Sequence, residues 1–250
     1  MEKSESTNRK LVWGPWVTAG LGLAVGIAFI IIQTIITLVF TITEYASDPQ
    51  TDLLQITENL GENGLVLAVA GFSSGIVGLG LIFLIIKLRK RATIAEYLSL
   101  TPVTVKMIFG LLVLTVGFII LSDGLTFLLG KPIVPQFQVD IYRTSVWPAL
   151  LWIAIIIIAP AFEETFFRGF LLEGFRQSRI GNTGAIVLTA LAWASLHVQY
   201  GAYELVTIFV GGVLLGIVRL KTGSLYSCFF IHSFFNLVST IETAIFVYSL

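Results

Sequence analysis

The chain has 250 residues, 56% of them hydrophobic and only 12% charged, with a formal net charge of zero. That is too little charge to cover a soluble surface, and the even balance excludes the basic footprint of a nucleic-acid partner. The mean hydropathy of +0.92 is concentrated in runs that exceed the ~20 apolar residues needed to cross a bilayer as helix.

Residues 1–10 are polar and read as a loose tail. No signal peptide is expected, because the first apolar run is too long for an h-region and no small-residue cleavage site follows it. The first span is predicted over Pro15 to Ile42, followed by an acidic stretch with Glu44, Asp48, Asp52, Glu58 and Glu62. The second covers Gly64 to Ile86 and stops at the basic run Lys87-Leu88-Arg89-Lys90-Arg91. Residues 92–104 read as interfacial, and the third span covers Met107 to Leu129. A loop with Pro132 and Pro135 leads to a fourth span starting near Trp147. The fifth covers Thr183 to His197, the sixth Glu204 to Leu220 and the seventh Ser224 to Ile241. The last nine residues are apolar and too short for a further span. The single cysteine, Cys228, lies in an apolar run and permits no intrachain disulfide.

The expected fold is therefore an all-α polytopic bundle of about seven transmembrane helices in a cell membrane, in contact with its lipids. Two parts are expected: residues 1–140, a tail with three spans, and residues 141–250, a helical core that carries the chemistry. With the N-terminus cytoplasmic, 13 of the 15 basic residues fall inside, and only Lys131 and Arg143 fall outside. The positive-inside rule selects that orientation. The pairs Gly22/Gly26, Gly71/Gly75 and Gly212/Gly216 repeat small residues four apart, which lets helices approach closely.

Ionisable groups in a bilayer are costly and need a reason. Three segments stand out: Glu163-Glu164-Thr165-Phe166-Phe167-Arg168, the segment Trp193 to His197, and His232 to Asn236. They contain both histidines of the chain. Glu164 and Arg168 are four apart and can pair on one helix face, leaving Glu163 about 100° around the helix. Depth brings the segments together if the fourth helix runs on through the motif to Arg176. Glu163 is then about 20 Å from the cytoplasmic side, His197 about 24 Å and His232 about 16 Å. If the span stops at Pro160 instead, they do not meet. Asp123, Glu204 and Glu242 read as structural or interfacial groups near the outer end.

In order and on successive apolar segments, these are Glu-Glu-x-x-x-Arg, aromatic-x-x-x-His and His-x-x-x-Asn. The pattern resembles the CAAX-protease and bacteriocin-processing family, also called the Abi or type II CAAX prenyl endopeptidase family. The resemblance covers roughly residues 145–240 and includes Gly169 and Thr222 to Leu225. Trp193 departs from it, since the family more often has phenylalanine there.

The resemblance implies an intramembrane endopeptidase acting on a protein or peptide, including C-terminally processed or prenylated tails. The implied roles are Glu163 as the base that activates water, assisted by His197, with His232 and Asn236 stabilising the oxyanion and Glu164 with Arg168 holding the site together. A carboxylate, two imidazoles and a carboxamide supply the base and donors that peptide hydrolysis requires. The family name implies a metalloprotease, yet His-Glu-x-x-His is absent. Glu163, His197 and His232 could ligate Zn2+ with an open position, and a metal-free glutamate mechanism fits the same residues. Two other classes remain: a non-proteolytic membrane immunity or binding protein, and a transporter using buried acids as proton relays.

Overall fold

The computed structural model describes residues 12–249, which are helical with no strand among them. Ten helices follow in order: α1 Pro15–Ser47, α2 Leu53–Gly61, α3 Gly64–Leu88, α4 Ile94–Leu98, α5 Val105–Leu128, α6 Gln136–Arg143, α7 Pro148–Phe175, α8 Gly181–Ser195, α9 Ala202–Thr222 and α10 Leu225–Tyr248. Six of them (α1, α3, α5, α7, α9 and α10) are long and apolar enough to cross a membrane. Large apolar side chains such as Leu23, Phe109, Leu121 and Val206 point outward from them. In water these faces would be an aggregation hazard; in a bilayer they are the correct surface. The chain is a multi-pass membrane protein.

Helix starts follow local chemistry. Pro15 and Pro148 sit in the first turns of α1 and α7, where a missing N–H costs nothing. Asp52, Asn63 and Thr104 cap α2, α3 and α5 with side-chain oxygens. Thr93 and Glu96 close a reciprocal capping box on α4. Helix α9 ends at Gly223, whose φ of +64° is the left-handed stop that favours glycine.

The structure differs from the sequence reading in four places. The expected fifth span is the 15-residue helix α8, about 22 Å long and too short to be a full span. It stops because of a local competition. In a continuing helix the Trp193 carbonyl would accept the N–H of His197. Instead it takes Nδ1 of the His197 ring at 2.9 Å, while the Leu196 and His197 amides bond three residues back. Helix α10 runs on to Tyr248, past the Ile241 end expected for the seventh span. The proline loop contains α6, and the acidic stretch contains α2. Arg168, which the charge tally placed inside, is buried within α7. The tail residues Lys3, Arg9 and Lys10 lie outside the described residues.

The remaining cations are segregated. Lys87, Arg89, Lys90, Arg91, Lys106, Arg176, Arg179, Arg219 and Lys221 fall at one end of the bundle, and Lys131 and Arg143 at the other. The second end carries Glu44, Asp48, Asp52, Glu58 and Glu62. We call these the basic and acidic ends.

Helix α7 is central and packs against α1, α3, α8, α9 and α10. Its backbone alternates between α and π turns, with π segments at Ala154–Ile158 and Glu164–Leu171. Phe162 anchors its middle, stacked on Phe29 of α1 at 4.6 Å and on Phe166 at 5.7 Å. Opposite, α3 brings Gly75 and Gly78 against Ile158 and Phe162, so the two helices meet closely through small residues.

Candidate active site

Three helices build a polar cluster inside the apolar bundle. The continuous helix α7 carries Glu163, Glu164 and Arg168, the end of α8 carries Trp193, the turn after it His197, and α10 carries His232 and Asn236. Glu164 and Arg168 form an ion pair, Nη1 to Oε1 at 2.8 Å, with side-chain exposures of 1% and 0%. The same Oε1 accepts from Nδ1 of His232 at 2.8 Å. Arg168 also donates Nη2 to the Gly212 carbonyl of α9 at 3.3 Å and lies over the Trp193 ring, 4.5 Å from its centroid. Burying a charge is tolerable only with such partners. One oxygen of Glu164, Oε2, has no hydrogen-bond partner among the described residues.

Glu163 faces the other way. Its Oε2 accepts a hydrogen bond from the indole N–H of Trp193, and the carboxylate lines a cavity of about 790 Å³. Trp193, His197, His232 and Asn236 line the same cavity; Glu164 and Arg168 do not. Because His232 donates Nδ1–H to Glu164, its Nε2 is left to face Glu163, 3.9 Å from Oε2. That gap is too long for a direct hydrogen bond and suits a bridging water.

The Trp193 indole stands edge-on to both imidazoles, its ring centroid 5.2 Å from each. His197 bonds the Trp193 carbonyl, which makes Nδ1 its protonated nitrogen and leaves Nε2 an acceptor. It makes no hydrogen bond to Glu163 among the described residues. Asn236 answers a backbone defect. In π register the Ile155 carbonyl would pair with residue 160, but Pro160 has no N–H. The Asn236 Nδ2 fills that place at 2.8 Å, and its second N–H remains.

Among the described residues no three His, Cys, Asp or Glu side chains are grouped to hold a metal ion.

Sequence reasoning missed part of the setting. Trp193 was read only as a substituted aromatic, yet its N–H touches the key carboxylate; a donor-bearing ring in place of phenylalanine was the available signal. Gln138 of α6 accepts from Ser239 at 3.1 Å and Thr243 at 3.0 Å and donates to the Tyr200 hydroxyl at 3.2 Å. It thereby ties α6 to α10 and to the turn after α8. No periodicity announces it, because its partners are 62 to 105 positions away.

Comparisons with known proteins fall on the same stretch. The family model described as type II CAAX prenyl endopeptidase Rce1-like matches residues 145–238. An uncharacterized 24.3 kDa protein of Escherichia coli is 32% identical over 107 residues, which is 40% of this chain and 49% of that protein. The chain thus spans about half the length of that curated relative. No solved structure matches. The motifs, the polar cluster they build and the matched segment coincide: over residues 145–238 the chain is similar to the type II CAAX prenyl endopeptidase, Rce1-like family.

Proposed function

We propose that the chain is an intramembrane endopeptidase that hydrolyses a protein or peptide with a glutamate-activated water. The observation that carries this reading is the gap between Glu163 Oε2 and His232 Nε2. It opens on the cavity and is held by groups whose partners fix their orientation. A water in that gap would lose a proton to Glu163 as it attacks the scissile carbonyl. The Trp193 N–H keeps the carboxylate turned toward the gap. Glu164 and Arg168 fix the His232 ring, as an orienting carboxylate does in other acid–base sites. The second N–H of Asn236 would stabilise the oxyanion, joined by Nε2 of His232 when that nitrogen carries a proton. The proton taken by Glu163 would be returned to the departing amine, directly or relayed through Nε2 of His197 on the same cavity wall.

No step here is routed through a metal. The C-terminal part, residues 141–250, supplies every group named, and residues 1–140 supply α1 and α3, which support α7.

The test is Glu163→Gln, which keeps shape and removes the base. General-base catalysis is typically worth about 10²–10⁴-fold. Cleavage of a responsive peptide by the purified protein in detergent or liposomes should fall by that factor, with the thermal unfolding midpoint retained. Wild-type turnover in the variant would overturn the assignment and favour a non-proteolytic immunity or binding protein on the same bundle.

A further inference from the structure

The cavity is confined to one half of the bundle. Its lining includes Gly26 to Thr37 of α1, the start of α3, Phe118 to Thr126 of α5, α6 and the site residues. No lining residue comes from 76–117, 168–192 or 209–231, the segments that run to the basic end.

That end is sealed. Tyr97 and Leu98 of α4 are buried against α7. Arg219 donates to the Leu98 carbonyl at 3.3 Å and pairs with Glu173 at 2.8 Å. Ser224 donates to the Thr101 carbonyl, and the Leu225 amide to the Ser99 carbonyl at 3.1 Å. Phe170, Leu172, Cys228 and Ile231 complete a plug with no exposed surface.

The short helix α8 is the second observation. Measured from the basic end, α8 rises about 22 Å and its neighbour α9 about 31 Å. The non-helical turn 196–201 therefore starts about 22 Å from the basic end, within the ~30 Å hydrocarbon core. Bare backbone at that depth is tolerated only where protein covers it or water reaches it. The Leu196, His197 and Tyr200 amides bond within the chain, and Leu196, His197, Gln199 and Tyr200 line the cavity, so a hydrated cavity would serve the turn's remaining polar groups.

Basic loops mark the cytoplasmic side of membrane proteins. Nine of the described lysines and arginines lie at the sealed end and two at the open end. From these observations we infer that water and substrate reach the site from the non-cytoplasmic side. The substrate is thus a polypeptide presented at or beyond the outer leaflet, not a tail carried in the cytoplasm. This rests on the proteolytic reading for the word substrate, whereas the side of entry stands on geometry alone.

The experiment reads entry without needing turnover. Cys228 is fully buried, so the wild-type protein serves as an unreactive blank. Three single substitutions outside the catalytic cluster are compared: Gln199→Cys at the cavity mouth, Thr207→Cys on its wall and Arg91→Cys on the basic end. A membrane-impermeant maleimide is applied to right-side-out and to inverted vesicles. The expected result is modification of Gln199→Cys and Thr207→Cys in right-side-out vesicles, and of Arg91→Cys in inverted vesicles alone. Modification of the cavity cysteines from inverted vesicles alone overturns the inference. So does resistance of Thr207→Cys from both sides, since the cavity would then not be hydrated. Failure of the Glu163→Gln kinetics would leave this outcome untouched, so the two readings fail separately.

Discussion

The indole nitrogen of Trp193 donates a hydrogen bond to the carboxylate of Glu163, 30 positions earlier in the chain. It joins the end of α8 to the middle of α7 and holds the proposed base on the cavity wall. The same ring lies under Arg168, so one side chain contacts both the exposed and the buried halves of the cluster. Trp193→Phe keeps a ring and removes the donor. Hydrogen bonds to charged groups are worth about 1.5–3 kcal/mol, so kcat should fall roughly 10- to 100-fold with little change in KM. An unchanged kcat would show that the bond does not orient the base.

Removing Arg168 should be structurally worse than removing Glu163. Arg168→Ala leaves Glu164 as an uncompensated buried charge, a loss of roughly 3–5 kcal/mol, and frees His232 from its fixed partner. Glu163 faces the cavity and loses no buried ion pair on substitution. Folded yield and unfolding midpoint should therefore rank wild type, Glu163→Ala, then Arg168→Ala. Equal midpoints for the two variants would refute a structural role for the pair.

Asn236 should matter to both stability and rate. Asn236→Ala orphans the Ile155 carbonyl, which costs about 1–3 kcal/mol for a buried acceptor. It also removes a proposed oxyanion donor, typically about 10²–10³-fold in turnover. Asn236→Asp, which keeps the size but offers no amide donor, should show the rate loss as well. A variant with a lowered midpoint and intact kcat would confine Asn236 to the backbone repair.

The paired glycines separate into two kinds. A Cβ on Gly212 would come within 3.0 Å of Ala190 and of the Trp193 ring, and one on Gly71 would meet nothing within 4 Å. Overpacking costs roughly 1–3 kcal/mol. Gly212→Ala should lower the unfolding midpoint and, by moving Trp193, the cleavage rate. Gly71→Ala should leave stability within about 0.5 kcal/mol. Equal effects would mean that α8 and α9 are less closely packed than the structure shows.

The sequence by itself determined the membrane class, the helical content and the segments that could carry chemistry. These depend on local quantities: run length, side-chain polarity and spacings of three or four that put residues on one helix face. The span starts at Pro15 and Gly64 agreed with the structure, because caps and prolines act within one turn. The number of full spans did not, because α8 ends where the His197 ring takes a backbone carbonyl, and no hydropathy sum registers that competition.

Only the tertiary structure decided how the motifs face one another. The short path from Glu163 to Trp193 crosses two helices. The Asn236 amide is aimed at a carbonyl orphaned by Pro160 on another helix. The indole that touches both imidazoles packs against Gly212 of α9. Such relations depend on the relative rotation and depth of whole helices, set by contacts far apart in the chain, and a one-dimensional pattern of spacings does not contain them. The same is true of the cavity. Charge along the chain separates a basic end from an acidic one, and packing alone seals the first and leaves the second open.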